Sequence, residues 1–298
     1  MNYFQDLSQT ELKQKKGKVL KAAWIISLGA PVGTGIAYLL GRTNILLADF
    51  FRRTAELLAL FLAWVVFCKV EKGSNREYNY GYHKLEDLSS LFVGFIMIIS
   101  FIIVLDNSVN RLIEPEPSGW LIPGLIIASL GVLVNGWFWQ HNYRLNKRET
   151  TPVFETQWRL YRVKTLIDFF VIITLILDIS LSNNLWSIYI DFIGSLVVAS
   201  ILLVSGFYLM KNAVNNLADR APLPVEKIRS AIDPLLLTGM EIGNIRCRQA
   251  GGCLFIDVLV AVVQEKQVEE VEKVKEKIIR KIKDMFPLSD IQIILNWR

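Results

Sequence analysis

Six long apolar runs dominate the sequence and constrain its fold more than any other feature. They lie near residues 22–40, 45–70, 88–112, 120–141, 160–179 and 186–210. The hydrocarbon core of a bilayer is about 30 Å thick, and a helix of about 20 apolar residues crosses it. Hydrophobic residues make up 52% of the chain, and their concentration in such runs is not typical of a soluble protein. The sequence therefore predicts a membrane α-helical protein with six transmembrane helices.

The distribution of lysine and arginine sets the expected orientation of these helices. Basic residues cluster in the N-terminal arm and in the loops after the second and fourth runs, whereas the alternate connections are nearly free of them, apart from Arg42. Positive charge accumulates on the cytoplasmic side of membrane proteins. We therefore expect a multi-pass protein of the cell (cytoplasmic) membrane with both termini in the cytoplasm. The net charge of +5 follows from this bias and gives no reason to expect a nucleic-acid partner.

The sequence after the last run has the mixed, charged composition of a small soluble domain. We expect a transmembrane domain with a cytoplasmic N-terminal arm over residues 1–216 and a cytoplasmic domain over residues 217–298. Spacing and turn residues within the latter predict a helix, two strands joined at Gly251-Gly252, a second helix and a third strand. These segments are 224–237, 242–248, 253–263, 268–286 and 291–295. The αββαβ order predicts a small antiparallel, ferredoxin-like sheet that helices cover on one face. Its uncovered face offers a surface for dimerisation.

Charged residues inside the second and fifth runs are the strongest indication of function. Arg52 and Glu56 stand four positions apart, as do Lys164 and Asp168, so each pair shares one face of its helix. Placing a charged side chain within the bilayer costs free energy, so such side chains face the protein interior or a water-filled cavity. The candidate functional residues are Asp49, Arg52, Glu56, Lys164 and Asp168. Together with Arg53 their charges sum to zero, so the cluster can neutralise itself without a bound ion.

Several short motifs follow one another in a fixed order along the chain. They are Leu46-Leu47-Ala48-Asp49, the segment Asn-Tyr-Gly-Tyr-His-Lys-Leu-Glu at 79–86, Asn135, Leu217-x-Asp219-x-Ala221-Pro222 and Gly251-Gly252-x-Leu254-Phe255-Ile256-Asp257. With six helices and an αββαβ domain, this pattern resembles the cation diffusion facilitator family of metal exporters. The resemblance implies a secondary transporter that exports a cation, in most members a divalent metal, by proton antiport. It also implies a homodimer held by the C-terminal domain, the lipid bilayer as its surroundings, and no resident cofactor.

The resemblance further implies a metal site, and the sequence departs from the family pattern there. Family members hold the cation with a His or Asp and a second Asp four residues later, on both the second and the fifth helix. The matching positions hold Arg52 with Glu56 and Lys164 with Asp168, which leaves Glu56 and Asp168 as candidate metal ligands. Divalent metals prefer imidazole and carboxylate ligands, whereas arginine offers no lone pair and lysine coordinates only when neutral.

Three interpretations of the cluster remain open. It is a structural ion-pair network that joins the second and fifth helices, or a modified transport site in which a basic residue acts as a built-in counter-cation. Alternatively, the alignment is wrong by one turn and Asp49 with Arg53 is the operative pair. Two functions follow: a transporter with a charge-paired site, or a transport-inactive homologue that serves as a dimer partner or scaffold. The sequence lacks a Gly-rich phosphate loop followed by Lys-Ser/Thr, and nothing in it indicates an enzyme.

Overall fold

The computed structural model describes residues 17–297 except 19, 72, 74, 79–80, 149–151, 182–185, 224, 263–267 and 288. The N-terminal arm before residue 17 and two residues of the motif at 79–86, Asn79 and Tyr80, therefore lie outside the described residues. Contacts divide the chain into two units, one of Met1–Trp64 with Phe92–Tyr208 and one of Val65–Leu91 with Leu209–Arg298. The expected domain boundary between residues 216 and 217 stays a prediction.

Six long helices in the described chain correspond to the six apolar runs. They are α1 (Gly29–Gly41), α2 (Asn44–Val70), α3 (Lys84–Ile113), α4 (Ile122–Arg148), α5 (Pro152–Ser180) and α6 (Trp186–Leu217). The helix α1 is the last part of a 22-residue apolar segment, Leu20–Gly41. A backbone N–H donated by Arg42 to Tyr38 closes the end of α1, where Arg42 has a positive φ of 50°.

Four apolar helical segments are long enough to cross a membrane: Leu20–Gly41, Lys84–Ile113, Ile122–Lys147 and Trp186–Leu217. The helices α2 and α5 have 27 and 29 residues, which also suffices in length, but each carries charged side chains near its middle. The protein is therefore mostly helical with four apolar candidate spans among the described residues. The count of six spans stays a prediction.

Contacts between helix ends show the relative directions of some helices of the first unit. The start of α4 lies beside the end of α1, whereas the starts of α6 and α2 lie side by side. The loop before α4 pairs with the end of α1 through the N–H of Gly119 and the carbonyl of Gly41, at 2.9 Å. Asp191, near the start of α6, accepts a hydrogen bond from the N–H of Asn44 at the start of α2. Next to these ends lies an apolar core that includes Ile45, Leu46, Val104, Val171, Leu175 and Val198.

The second unit contains a sheet of three strands and two helices that follow α6. Its elements are α7 (Val225–Ile232), a 3₁₀ turn (Asp233–Leu235), β1 (Met240–Ala250), β2 (Cys253–Val262), α8 (Val268–Met285) and β3 (Ser289–Trp297). The strand order is β1-β2-β3. The strands β1 and β2 pair antiparallel around the turn at Gly251-Gly252, whereas β2 and β3 pair parallel. The expectation of an antiparallel sheet was wrong for β3, because the helix α8 returns the chain in the same direction. The ferredoxin-like assignment stays a prediction.

One face of this sheet packs against α7 and α8. Buried residues of α8 recur every three or four positions, at Val271, Val274, Ile278 and Ile282, and form one apolar stripe. Alternate residues of β2, Ile256, Val258 and Val260, meet this stripe in a common core with Ile228 and Ile232 of α7. The covered face of the sheet therefore follows from two sequence patterns, the apolar spacing of three or four residues in α8 and the alternation of two in β2.

Two neighbouring carboxylates at the start of α3 bind the hairpin turn of this domain. The N–H of Gly251 donates to Asp87 Oδ2 at 2.8 Å, and the N–H of Gly252 donates to Glu86 Oε2 at 2.9 Å. The other oxygen of Asp87 accepts from Asn216 Nδ2 of α6, also at 2.8 Å. Asp87 is buried, so a single carboxylate holds together the start of α3, the end of α6 and the hairpin.

The substitution Gly251→Ala should destabilise the protein by more than ~1 kcal/mol, because Gly251 has a φ of +55°, a left-handed conformation that costs other residues about 1–2 kcal/mol. A Cβ at this position would also stand 2.6 Å from Glu86 Oε2, whereas a Cβ on Gly252 would stand 3.8 Å from the same atom. We expect the thermal unfolding temperature of the purified protein to fall for Gly251→Ala and to change little for Gly252→Ala. Equal effects of the two substitutions would contradict the described turn.

Candidate functional site

The charged cluster is built on one face of α2 and extends to α5. Asp49, Arg52, Arg53 and Glu56 lie within two turns of α2, and positions three, four and seven residues apart face the same way. Lys164 and Asp168 stand one turn apart on α5. The structure brings all five predicted residues and Arg53 into a single network. Whether this network is the functional site stays a prediction.

The guanidinium group of Arg52 occupies the centre of the network and bridges three carboxylates. It donates to Asp49 Oδ1 from Nε at 3.0 Å and from Nη2 at 2.6 Å. It donates to Asp168 Oδ1 from Nη2 at 2.5 Å and to Glu56 Oε1 from Nη1 at 3.2 Å. A cation that is part of the chain therefore stands between the side chains that a metal ion would need as ligands.

Arg53 completes the buried half of the cluster. Its Nε donates to Asp49 Oδ2 at 2.7 Å, and its Nη2 donates to Asp168 Oδ1 at 3.0 Å. Asp49, Arg52, Arg53 and Asp168 all have side chains exposed by 8% or less. Two guanidinium groups thus neutralise two carboxylates out of contact with solvent. The Asp49–Arg53 pair, weighed above as an alternative site, is part of the same network rather than a separate one.

The remaining pair, Glu56 and Lys164, forms an accessible half. Lys164 Nζ donates to Glu56 Oε2 at 2.6 Å, and the two side chains are 25% and 31% exposed, respectively. Glu56 also accepts from Arg52, but Lys164 has Glu56 as its one carboxylate partner among the described ion pairs. The cluster is therefore divided between four buried charges and two partly exposed ones.

Two residues of α4 complete the site, and sequence reasoning did not give them this role. Asn135 Nδ2 donates to Asp168 Oδ2 at 2.7 Å. One turn earlier, Gly131 faces the same carboxylate, and a Cβ there would stand 2.6 Å from Asp168 Oδ2 and 3.0 Å from Arg53 Nη2. Asn135 is among the sequence motifs described above. Gly131 stands four positions before it, and this spacing alone indicates that the two residues share one face of α4.

The described residues do not form a conventional metal centre. They contain no group of three or more His, Cys, Asp or Glu side chains that could hold a metal ion. Of the two candidate ligands, Asp168 is bound by Arg52, Arg53 and Asn135, and Glu56 is bound by Arg52 and Lys164. As arranged, the site is a neutral assembly of three cations and three anions. Its formal charges therefore balance without a bound ion.

Comparison with known proteins identifies related sequences. The family model described as "Cation efflux transmembrane domain" matches residues 20–218. The zinc transporter ZitB of Pectobacterium atrosepticum is 26% identical over 239 residues, which cover 78% of this chain and 72% of that protein. The manganese efflux system protein MneP of Bacillus subtilis is 21% identical over 290 residues, 96% of either chain. A cadmium, cobalt and zinc/H(+)-K(+) antiporter of Bacillus velezensis is 24% identical over 210 residues, 69% of this chain and 64% of that protein.

The substitution Gly131→Ala should disturb the buried half of the cluster, because its Cβ would overlap the Asp168 carboxylate. Overpacking of this kind costs about 1–3 kcal/mol, so the thermal unfolding temperature should fall. Gly136→Ala on the same helix is the matched control, since its Cβ would lie 3.7 Å from Thr165 Cγ2, an ordinary contact. Thermal unfolding of both variants in detergent checks the prediction, and a Gly131→Ala variant as stable as Gly136→Ala would contradict the close approach of α4.

Proposed function

The chain belongs to the cation efflux family of membrane transporters, and from this membership we propose that it exports a divalent metal cation in exchange for protons. Its relatives are named as transporters of zinc, manganese, cadmium or cobalt, and the name of one describes an antiporter with protons and potassium. No chemistry of an enzyme is needed for such a function. The transported cation is substrate, and the bilayer is the surrounding medium.

The accessible Glu56–Lys164 pair is the observation that carries this proposal. Glu56 is twelve residues from the first and fourteen from the last residue of α2, or about 18 and 21 Å along the helix. A charged pair halfway along two apolar helices that is still partly exposed faces a water-filled cavity rather than lipid. The two residues thus have the location that substrate sites take in secondary transporters, near the bilayer midplane.

The charge balance of the cluster couples cation binding to proton release. With Lys164 protonated, three cations balance three carboxylates. In the proposed exchange, transfer of the Lys164 proton to water would give the cluster a net charge of −1, which attracts a cation. The neutral amine then has a lone pair, so its nitrogen and the Glu56 carboxylate offer the N and O ligands that suit zinc and similar metals. Return of the proton restores the Lys164–Glu56 ion pair and expels the cation.

Asp168 has a different role in this proposal from the one implied by the family pattern. It accepts hydrogen bonds from Arg52, Arg53 and Asn135 and has no exposed surface. Arg52 cannot be deprotonated in a protein, so it does not make room for a metal by losing its charge. We therefore assign cation exchange to Glu56 with Lys164, and we assign Asp49 and Asp168 to the fixed counter-charges of the two arginines.

The topology and assembly belong to the same proposal. Six spans, both termini in the cytoplasm and a location in the cell membrane are supported by the exposed basic residues at the α4–α5 connection, among them Arg144, Lys147 and Arg159. A homodimer through residues 217–298 is supported by the uncovered face of the sheet. There Leu259 and Ile294 are direct neighbours on β2 and β3, and Ile294 is 45% exposed.

One observation favours a second function, that of a transport-inactive homologue acting as a dimer partner or scaffold. Arg52 already fills the space among the three carboxylates. If Lys164 never loses its proton, the network is a permanent ion-pair assembly that joins α2 to α5. The soluble domain would then be the functional part of the chain.

The substitution Lys164→Met should separate these functions. It removes the amine and its proton but keeps the length of the side chain, so exchange through Lys164 should stop. We expect proteoliposomes loaded with a pH dye to show proton movement driven by zinc, manganese, cobalt or cadmium with the native protein. We expect background signal with Lys164→Met and with Glu56→Gln. The matched control is Arg162→Gln, which removes an exposed cation two positions away on α5 and should leave exchange unchanged.

Two outcomes of this assay would contradict the proposal. Native protein that is folded and dimeric but moves no cation in the panel would support the scaffold function. Full exchange by Lys164→Met would show that the protons travel by another route.

The substitution Ile294→Glu should dissociate the proposed dimer, because it buries a charge in an apolar contact between two sheet faces. Light scattering coupled to size exclusion of the purified full chain should report the mass of a monomer for this variant and of a dimer for the native protein. Ser230→Glu adds the same charge on an exposed residue of α7, on the covered side of the sheet, and should leave the dimer intact. Dimeric Ile294→Glu would place the interface elsewhere.

A further inference from the structure

A second buried polar cluster lies where the helices of the first unit change direction. It consists of Arg111 near the end of α3, Ser118 in the next loop, Asp178 near the end of α5, and Ser187 and Asp191 near the start of α6. Asp178 and Asp191 are exposed by 1% or less and Arg111 by 8%. Groups this polar are buried only where they are paired. The proposed exchange of a cation does not use any of them.

Asp191 joins three helices at this cluster. Its Oδ1 accepts from the N–H of Ile45 and its Oδ2 from the N–H of Asn44, both at 2.9 Å, so it caps the start of α2. The same Oδ2 accepts from Arg111 Nη1 of α3 at 2.7 Å. The two bonds from backbone N–H groups join α6 to α2. The third bond, the Arg111–Asp191 ion pair, joins α6 to α3. The third bond can break while the cap remains.

Arg111 has other partners within its own loop. Its Nη2 donates to Ser118 Oγ at 3.0 Å and to the carbonyl of Glu116 at 3.1 Å. Ser118 Oγ in turn donates to Asp178 Oδ2 at 3.0 Å, and Ser187 also bonds Asp178. If the guanidinium leaves Asp191, it keeps three hydrogen bonds to two acceptors of its own loop, Ser118 Oγ and the Glu116 carbonyl, which also accepts from Nε.

The position of this cluster relative to the charged site on α2 and α5 suggests what it controls. Asn44 precedes Asp49 by five residues, and Asp178 follows Asp168 by ten, or about 8 and 15 Å along the helices. The intervening layer is apolar and fully buried: Ile45, Leu46, Val171 and Leu175. On this side the site is therefore closed by a layer of packed side chains and then by the buried ion pair. The Glu56–Lys164 pair, by contrast, is exposed.

We infer that the Arg111–Asp191 ion pair is the gate on the non-cytoplasmic side of the transport site and must break for the cation to leave. This inference rests on the proposed function, since a gate has meaning only if a cation passes. In the described conformation the Arg111–Asp191 pair is formed, and the Glu56–Lys164 pair on the far side of the apolar layer is partly exposed. Rupture of the pair removes the one ion pair described between the end of α3 and the start of α6 and leaves weaker contacts, Asn44 Nδ2 with the Asn107 carbonyl and Ser108 with Ser195. Alternating access then requires that α3 separate from α6 at this end.

A buried reporter one turn inside the gate makes the inference testable. Ser195 on α6 is four residues beyond Asp191, has no exposed surface, and its hydroxyl lies 2.9 Å from that of Ser108 on α3. It therefore becomes accessible only if α3 and α6 part. The native cysteines, Cys68, Cys247 and Cys253, are first replaced by serine. The rate of reaction of Ser195→Cys with a membrane-impermeant thiol reagent, added outside intact cells, then reports opening.

The variant Arg111→Gln should react about tenfold faster or more than the Ser195→Cys background, because loss of an ion pair made only in the closed state shifts the population toward the open one. Arg111→Lys keeps the charge and should react at a rate close to the background. The matched control Arg42→Gln removes an exposed guanidinium at the same end of the helices and should change nothing. An unchanged rate in a folded Arg111→Gln variant, or equal acceleration by Arg42→Gln, would overturn the inference.

Two further measurements keep the result decisive. If Arg111→Gln does not fold, Asp191→Asn removes the charge that pairs with Arg111 but keeps the size of the side chain, and it should accelerate labelling in the same direction; no acceleration overturns the gate. Flux is measured separately in the same variants. If the native protein exchanges cations but the labelling rate of Ser195→Cys does not change on substitution of Arg111, the gate is refuted and the proposed function is not. Labelling that depends on Arg111 in a protein without flux would refute the proposed function alone.

Discussion

The requirement that charge within apolar helices be balanced underlies the whole arrangement of the first unit. Two guanidinium groups hold Asp49 and Asp168 in a buried assembly, and removing one partner from a buried pair costs about 3–5 kcal/mol. The same requirement explains why α4 approaches so closely that it has a glycine at position 131, and why Asn135 completes the hydrogen bonding of Asp168. Of the six residues of the cluster, Glu56 and Lys164 are the two whose side chains are partly exposed.

The sequence allowed the charged network to be anticipated, but not its internal connections. Spacing of four on α2 and α5 and a charge sum of zero predicted that the six residues would meet. Which cation meets which carboxylate depends on helix rotation and separation, and neither is encoded in spacing along one helix. The central position of Arg52 and the contact of Gly131 with Asp168 therefore required the structure. The parallel pairing of β3 was missed because strand periodicity carries no information on direction.

The second polar cluster shows a different kind of omission. Asp178 and Asp191 lie in or beside apolar runs, so the rule that drew attention to Asp168 applies to them as well. They passed unnoticed because they stand near the ends of their runs, where a carboxylate can equally reach the headgroup region. In the structure these two side chains are exposed by 1% or less, so they do not reach the headgroup region. Burial at a helix end depends on the loops around it, which sequence periodicity does not describe. In this chain the loop at Ser118 supplies the cover.

The tethered ammonium group of Lys164, bonded to Glu56, has a consequence for affinity. A soluble ion that enters the cluster competes with a group that is never more than a side chain's length away, and such tethering corresponds to an effective concentration in the millimolar range or above. A trace metal would rarely displace it. If the proposed exchange takes place at Glu56, export would therefore begin only when the free metal concentration in the cytoplasm is high.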